Sequence, residues 1–184
     1  MSSEAYIMGL FAGDGWFESR GISIGTNNET FAVRIWQMMS ENFQKKVILK
    51  KRKYSDGHEM FIVSLHSKEI HRKYQEALKT TKKKSKTFQV PAFNTKEEKR
   101  SFVAGLIDAE GYFYFWKQKI PRVALEIFNE NAALFIKNQL QNDEITASVS
   151  KCKDGGFRID ITGSKNVTKL FELYPLMKLS PHAG

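Results

Sequence analysis

The chain has 184 residues, with 29 Lys plus Arg against 20 Asp plus Glu for a formal charge of +9, and it is 41% hydrophobic and 12% aromatic. That much apolar material can bury one sizeable core or two small ones, which excludes disorder over most of the length. The single Cys152 excludes an internal disulfide, no Cys/His quartet has zinc-finger spacing, and no apolar run nears the roughly 20 residues of a bilayer span. The sequence therefore reads as an intracellular protein, cytoplasmic or organellar, without a secretion signal. A basic chain attracts polyanions, either nucleic acid or an anionic membrane surface. The charge is unequal: positions 1–92 hold sixteen basic and nine acidic side chains, positions 93–184 thirteen and eleven.

In chain order, a short helix starting near Ser2 or Ser3 is stopped by Gly15. Alternating stretches at 16–25 and 30–37 read as a hairpin, and a helix follows near 39–46. A strand at 47–54, the turn Ser55-Asp-Gly57, a strand at 59–66 and a helix at 68–79 complete a first half, residues 1–80. Residues 81–94, with Lys82, Lys83, Lys84, Lys86 and Pro91, read as a linker whose lysines serve as a solvated tether or touch a phosphate backbone. The second half, residues 95–184, repeats the order. The capping box Thr95-Lys-Glu-Glu98 opens a helix ended by Gly111. Strands at 112–119 and 122–129, a helix at 132–141, strands at 145–153 and 157–162 across Asp154-Gly-Gly156, and a helix at 165–174 follow. Each half is thus αββαββα, an α+β arrangement in which helices cover one face of a four-stranded antiparallel sheet and leave the other open.

The repeat is visible in the residues. Tyr6-Ile-Met-Gly-Leu-Phe-Ala-Gly-Asp-Gly-Trp-Phe17 and Phe102-Val-Ala-Gly-Leu-Ile-Asp-Ala-Glu-Gly-Tyr-Phe113 lie 96 residues apart. Gly9 and Gly13, like Gly105 and Ala109, stand four apart on one helical stripe, while Ile7, Leu10 and Phe11, like Val103, Leu106 and Ile107, turn to a core. A helix-interior Gly costs about 1 kcal/mol against Ala. Close approach of two helices compensates for it, so the two copies are expected to pack on each other. Asp14 and Glu110 then meet at the negative ends of two helix dipoles, where like charges repel and a cation is wanted. Hard oxygen donors suit Mg²⁺, although an acid-Gly pair at a helix end also serves as a simple turn.

Val103-Ala-Gly-Leu-Ile-Asp-Ala-Glu-Gly111 resembles the signature of the LAGLIDADG homing endonucleases, from which it departs at Val103 and Glu110. Ile7-Met-Gly-Leu-Phe-Ala-Gly-Asp-Gly15 is a looser match. Two motifs in one chain resemble the monomeric, pseudo-symmetric members. The resemblance implies an intron-encoded, Mg²⁺-dependent endonuclease that cuts both strands of a long DNA target and leaves 3′ overhangs. It implies that Mn²⁺ substitutes and that Ca²⁺ supports binding without cleavage. Asp14 and Glu110 would hold the metals, assisted by the carbonyls of Gly13 and Ala109, and the longer Glu110 would make the site asymmetric. The family also places near the metals a Gln or Asn at the end of each half's second strand, matched by Gln37 and Asn129, and a Lys that organises solvent; Gln37 and Asn129 serve equally as strand ends or helix caps. Lys117 and Lys119 are nearby in sequence, but the spacing singles out neither as that lysine. The partner would be double-stranded DNA, with no membrane. An intron-splicing RNA maturase, or a non-cleaving DNA-binding protein of the same fold, is the alternative.

The open sheet faces would form a saddle for DNA. Alternation sets Arg34 and Trp36 opposite Phe31, Val33 and Ile35, sets Arg122 and Glu126 opposite Val123, Leu125 and Ile127, and sets Arg158 and Asp160 opposite Ile159 and Ile161. Such side chains can pair with base edges in a major groove. Lys50 and Arg52, within the run Lys50-Lys-Arg-Lys53, and Lys151 and Lys153 flank hairpin turns and can meet phosphates or form a solvated edge. Arg20, Lys117 and Lys119 belong to the same set of candidate DNA contacts. His66 and His71 have no ligand spacing and read as structural.

Overall fold

The computed structural model describes residues 1–80 and 87–179; the expected linker lysines Lys82, Lys83, Lys84 and Lys86 lie outside the described residues. The first half runs α1 (Ser3–Asp14), β1 (Gly15–Glu18), β2 (Gly21–Thr26), α2 (Glu29–Phe43), β3 (Val47–Lys53), β4 (Glu59–His66) and α3 (Lys68–Leu78). The second half runs α4 (Lys96–Glu110), β5 (Gly111–Trp116), β6 (Ile120–Ile127), α5 (Glu130–Asn142), β7 (Ala147–Lys151), β8 (Phe157–Thr162) and α6 (Ser164–Leu173). Both sheets are antiparallel and have the same topology, β1-β2-β4-β3 and β5-β6-β8-β7. The duplicated αββαββα order expected from the sequence is therefore present.

Side-chain caps set most helix starts. The hydroxyls of Ser2, Ser67 and Thr95, and the side-chain oxygens of Asn28 and Asn129, accept from the first turns of α1, α3, α4, α2 and α5. At α4 the expected box is complete, since Glu98 also accepts from the Thr95 N–H at 2.9 Å.

The first half departs from expectation between residues 16 and 43. The stretch 16–25 holds both strands of the hairpin, and the strand expected at 30–37 is instead the beginning of α2. Phe31, Ala32, Ile35, Met38 and Met39 are its buried positions. That is a helical period, which also contains the Phe31/Ile35 alternation that suggests a strand. The Asn28 oxygen accepting from the Phe31 N–H at 2.9 Å starts the helix. The two hairpins also differ in length, four and six residues in β1 and β2 against six and eight in β5 and β6. A constant repeat offset therefore misplaces everything after Gly15. Ser40-Glu-Asn42, which resembles a helix start, lies inside α2.

The core is centred on α1 and α4, which are buried almost all round: Ala5 through Ala12 in one and Ser101 through Ala109 in the other. A helix enclosed in this way is an interior element, not an amphipathic cover. Gly15 and Gly111 end these helices with extended φ of −91° and −95°, so the left-handed cap expected of a terminal glycine is absent. Their role is close approach. A Cβ at Gly111 would stand 2.3 Å from the Ile107 carbonyl oxygen, and one at Gly15 2.4 Å from the Phe11 ring.

One buried carboxylate braces the second half. Asp143, at the end of α5, accepts from Arg100 at 2.7 and 3.0 Å, from Lys96 at 2.7 Å, from Tyr174 at 2.9 Å and from Gln139 at 3.0 Å. Burial works against its charge, but these donors outweigh it and hold the carboxyl well below the usual range.

Candidate functional site

α1 and α4 start together and run the same way. The Met1 ammonium pairs with Glu97, and the Ser2 N–H donates to Ser101 Oγ at 3.0 Å. Midway, a Cβ on Gly9 would stand 2.1 Å from the Phe102 carbonyl oxygen, and one on Gly105 2.2 Å from that of Tyr6. The backbones are in direct contact because side chains are missing at those two positions. At the far end a Cβ on Gly13 would meet Ala109 Cβ at 2.5 Å, Glu110 Cγ at 3.2 Å and Glu110 Oε1 at 3.3 Å. The Glu110 carboxylate therefore rests against the last turn of α1, which ends on Asp14. Two helix ends, each carrying an acid and each the negative end of a dipole, therefore lie side by side.

Among the described residues no group of three or more His, Cys, Asp or Glu side chains is arranged to hold a metal ion. The residues at the two helix ends that could contribute oxygens to an ion are Asp14 and Glu110, with the carbonyls of Gly13 and Ala109. All are hard oxygens, which suit Mg²⁺. A cation already approaches this end: Lys178 Nζ donates to the Ala109 carbonyl at 3.4 Å.

Lys178 arrives on a segment that the sequence reading does not single out. The N–H groups of Met177 and Leu179 donate to Asp108 at 2.5 and 3.1 Å, and the Tyr6 hydroxyl donates to the same carboxylate at 2.5 Å. Arg34 donates to the Met177 carbonyl at 3.0 Å. Asp108 is 0% exposed; burial raises its pKa above the usual carboxylate value, and these donors only partly offset the shift. Burial and the Asp108 charge push the Tyr6 phenol far above its ordinary value, so it remains a donor. The signal for this cluster lay in the repeat itself. Asp108 occupies the place that Ala12 fills in the first motif, and Tyr6 the place of Phe102. Nothing in the sequence marks Lys178.

The expected residue Gln37 is not a strand end. It is exposed on α2 and shares a hollow with Met1 and Ser3 at the start of α1, the end opposite Asp14. Arg34 and Trp36, expected on the open sheet face, are also on α2: Arg34 holds Met177, and the Trp36 indole donates to the Val47 carbonyl at 3.1 Å. Asn129 does follow the second strand of its half, at the position that Asn28 takes in the first. It is buried with both ends of its amide engaged, the oxygen accepting from the Ala132 N–H at 3.0 Å and the nitrogen donating to the Phe88 carbonyl at 2.5 Å.

The pairing register fixes which side chains share the open faces. In the first sheet these are Trp16, Glu18, Ser23, Ser64, Ile48, Ile62, Met60, Lys50, Arg52 and the exposed His66. Glu18 accepts from the Trp16 indole at 2.7 Å and from the Ser23 hydroxyl at 3.0 Å. The run of cations divides between faces. Lys50 and Arg52 are on the open side, whereas Lys51, on the other, pairs with Glu59 at 2.8 Å. Arg20 is exposed between β1 and β2.

In the second sheet Tyr112, Tyr114, Trp116, Arg122, Glu126, Arg158 and Asp160 share the open face, as alternation predicts. Arg158 is committed within it, donating to Asp160 at 3.0 and 3.3 Å, to Glu126 at 3.4 Å and to the Tyr114 hydroxyl at 3.1 Å. Arg122 and Lys117 lie over the Trp116 ring, at 4.6 and 4.5 Å from its centroid. Lys119 is exposed in the same turn and Lys153 is exposed after the end of β7, whereas Lys151, paired with Phe157, is on the helix-covered side at the end of that strand and not on the open face expected for it. No helix among the described residues is long and apolar enough to cross a membrane.

A family model described as a LAGLIDADG-like domain matches residues 2–87 and 97–174. Solved structures with the same architecture include full-length DUF199/WhiA from Thermatoga maritima, 16% identical with a TM-score of 0.66; the match covers 95% of this chain but only 56% of that one. The homing endonuclease I-DmoI, in complex with DNA and Mn, is 18% identical with a TM-score of 0.62, covering 98% and 97%. The homing endonuclease I-WcaI, bound to its DNA recognition sequence, is 14% identical with a TM-score of 0.66, covering 98% and 83%. No curated protein matches the chain.

Proposed function

Because this chain belongs to the LAGLIDADG-like domain family, we propose that it is a site-specific endonuclease that hydrolyses both strands of double-stranded DNA with a divalent metal and leaves 3′ overhangs. The observation that carries the reading is the placement of the Glu110 carboxylate, with Oε1 3.3 Å from a Cβ position on Gly13, beside the end of α1 that bears Asp14. Both acids come from one chain, so a monomer suffices. Asp14 and Glu110, with the carbonyls of Gly13 and Ala109, would hold Mg²⁺, or Mn²⁺ in its place. Bound there, the metal would supply an activated water and charge stabilisation for the phosphoryl group.

The chain's own residues do the rest. The open sheet faces form a saddle on which exposed cations neutralise the DNA backbone: Lys50 and Arg52 on one side, Lys117, Lys119 and Arg122 on the other, with Arg20 and Lys153 at the turns. Polar side chains between them meet base edges. The contact between α1 and α4 fixes the spacing of the two acids and so presents one to each strand. The buried Asn129 acts from behind the face, by setting the entry of α5 and the position of Phe88.

The test is cleavage of supercoiled plasmid carrying sites selected from a random library. Linear product with Mg²⁺ and none with EDTA or Ca²⁺ is expected. Tight binding to a selected site without cutting in any divalent metal would reassign the chain as a DNA-binding protein of this fold. That outcome has a basis in the architecture, which is shared with WhiA as well as with the two endonucleases.

A further inference from the structure

We infer that the open face of the second sheet is a stacking platform for unpaired nucleobases, so that this half of the protein binds a single-stranded nucleic acid. This goes beyond the proposed nuclease reading and needs neither a metal nor cleavage.

Four observations carry it. First, β5 sets aromatic rings at alternate positions on one face, Tyr112, Tyr114 and Trp116, with Ile120 paired opposite Trp116. The helices cover the other face, where Phe113 packs against Phe171, and they leave Tyr112 42% and Trp116 39% exposed. Aromatic surface left in water favours a partner that covers it. Second, the rings are fixed in advance. The Tyr114 hydroxyl accepts from Arg158 at 3.1 Å, and Tyr112 stacks on Tyr114 with 5.6 Å between centroids and 29° between planes. A preformed surface loses little entropy on binding. Third, the charge is graded along the strand. Beside the tyrosines the guanidinium of Arg158 faces the two carboxylates of Asp160 and Glu126, which disfavours a phosphate there. Around Trp116 stand Arg122 and Lys117, and the Arg122 Nε is shielded from solvent without a hydrogen-bond partner among the described residues. A strand can therefore lay its bases along the rings while its backbone meets cations at the hairpin end. Fourth, the first sheet has no such surface. The four-residue β1 brings only Trp16 and Glu18 to its open face; the Trp16 indole is tied to Glu18 at 2.7 Å, and its ring lies so close to Gly25 that a Cβ there would stand 3.1 Å from Cζ3.

The ligand follows from which part of a base is on offer. In a duplex the base faces are covered by their neighbours and only the edges line a groove, so a row of exposed rings has little to meet there. In a single strand the faces are free, and they stack on aromatic side chains with little regard for sequence. The carboxylates of Asp160 and Glu126, beside the rings, accept from a base that carries an exocyclic amine, as cytosine does. DNA and RNA strands supply the same unpaired base, and the platform takes either.

The test is fluorescence anisotropy in EDTA with labelled strands of about 12 nucleotides. The probes are a cytosine DNA strand, a cytosine RNA strand, an abasic DNA strand with the same phosphates, and a duplex. The protein is expected to bind a cytosine strand at least tenfold more tightly than the abasic one, and the tighter of the two cytosine strands names the source. Equal affinity for the abasic strand would overturn the inference, whether or not the protein cuts a plasmid. Base-dependent binding by a protein that never cuts would leave it standing while the nuclease reading fails. Trp116→Leu and Tyr112→Leu each remove a ring and are expected to weaken single-strand binding on the order of tenfold, whereas Trp116→Phe keeps a ring and should recover most of the loss. Parental affinity in both leucine variants, or a phenylalanine variant as weak as its leucine counterpart, would refute stacking. Binding to the duplex should change little in all three, which also reports that they fold. An equal loss on duplex and single strand would mean that Trp116→Leu acts by displacing Arg122 and Lys117, and would overturn the role given to the ring.

Discussion

Replacing Gly9 or Gly105 by alanine opposes two effects of known size. In an ordinary helix interior the change stabilises by about 1 kcal/mol, because glycine is the poorer helix former. Here a Cβ on Gly9 would stand 2.1 Å from the Phe102 carbonyl oxygen and 3.1 Å from the Gly105 Cα, and one on Gly105 would stand 2.8 Å from the Leu10 nitrogen. Every one of these neighbours is backbone, so no side chain can swing aside and α1 must move away from α4 by about 1 Å. Overpacking of a rigid interior costs about 1–3 kcal/mol, and separation also sacrifices dispersion contacts along both helices. The steric term should win, with each variant losing about 1–2 kcal/mol. For a chain of this length that lowers Tm by about 2–8 °C. The double variant should lose less than the sum, because once the helices part for one methyl the second finds room. Thermal melts of Gly9→Ala, Gly105→Ala and the pair would measure this. Gly156→Ala, where a Cβ meets nothing closer than 3.5 Å, serves as the control. A rise in Tm for either helix variant would show that propensity prevails and that the backbones are not in contact.

At Gly13→Ala the added methyl presses on Ala109 and on Glu110 Cγ and Oε1, so cleavage should fall at least tenfold with a smaller change in Tm than at Gly9; parental cleavage rates would show that the carboxylate does not depend on this gap. Asp14→Asn and Glu110→Gln should abolish cutting while a gel-shift assay still detects the DNA complex. In metal-free buffer both should melt at or above the parental temperature, since each removes a charge that a helix dipole and a second acid disfavour; a clear loss of Tm would contradict that electrostatic account. Asp143, whose carboxyl is held below its ordinary range by Arg100, Lys96, Tyr174 and Gln139, contributes stability that is present above its unfolded value near pH 4 and is lost as pH falls further. Asp143→Asn should cost about 2 kcal/mol at pH 7, below the full value of a broken buried pair because Lys96 and Arg100 remain partly wet. It should also flatten the fall in Tm below pH 4, and a variant curve parallel to the parent's there would refute the assignment.

What the sequence made legible follows from how local the determinants are. The capping box at Thr95, the β4 and β8 strands and the paired helices are written in adjacent residues, and they occur where read. The α2 region was not legible because Phe31 and Ile35 satisfy a strand period and a helical one together, and the unequal hairpins shifted the second half's register against the first. That shift carried Gln37, Arg34 and Trp36 to the wrong face and hid Asn28 as the partner position of Asn129. Charged runs also mislead: Lys50-Lys-Arg-Lys53 reads as one patch, but a strand sends alternate members to opposite faces. Lys178 was out of reach because a tertiary clamp, not spacing, brings it to the helix end. The clamp itself left a trace, in the acid and phenol that replace Ala12 and Phe102 between two otherwise matching motifs.

Those replacements bear on how a duplicated fold comes to carry two unlike halves. The shared features, glycine contacts and terminal acids, lie on the axis between the halves, where symmetry is needed to place two similar groups. Away from that axis the halves diverge. The first open face carries Lys50 and Arg52 beside a small polar network around Glu18, whereas the second ties Arg158 to Asp160 and Glu126 and exposes stacked Tyr112 and Tyr114 with Trp116 under Arg122 and Lys117. An arginine held by two carboxylates offers little net charge to a phosphate, while the carboxylates beside it can accept from a cytosine amine. Lysines at a sheet end attract any backbone alike. One half is therefore suited to affinity and the other to discrimination. On the proposed reading, unlike faces carried by one helix pair would let a single chain address two unlike half-sites of DNA, and the clamp around Asp108, which the first half lacks, extends the same divergence to the helix pair itself.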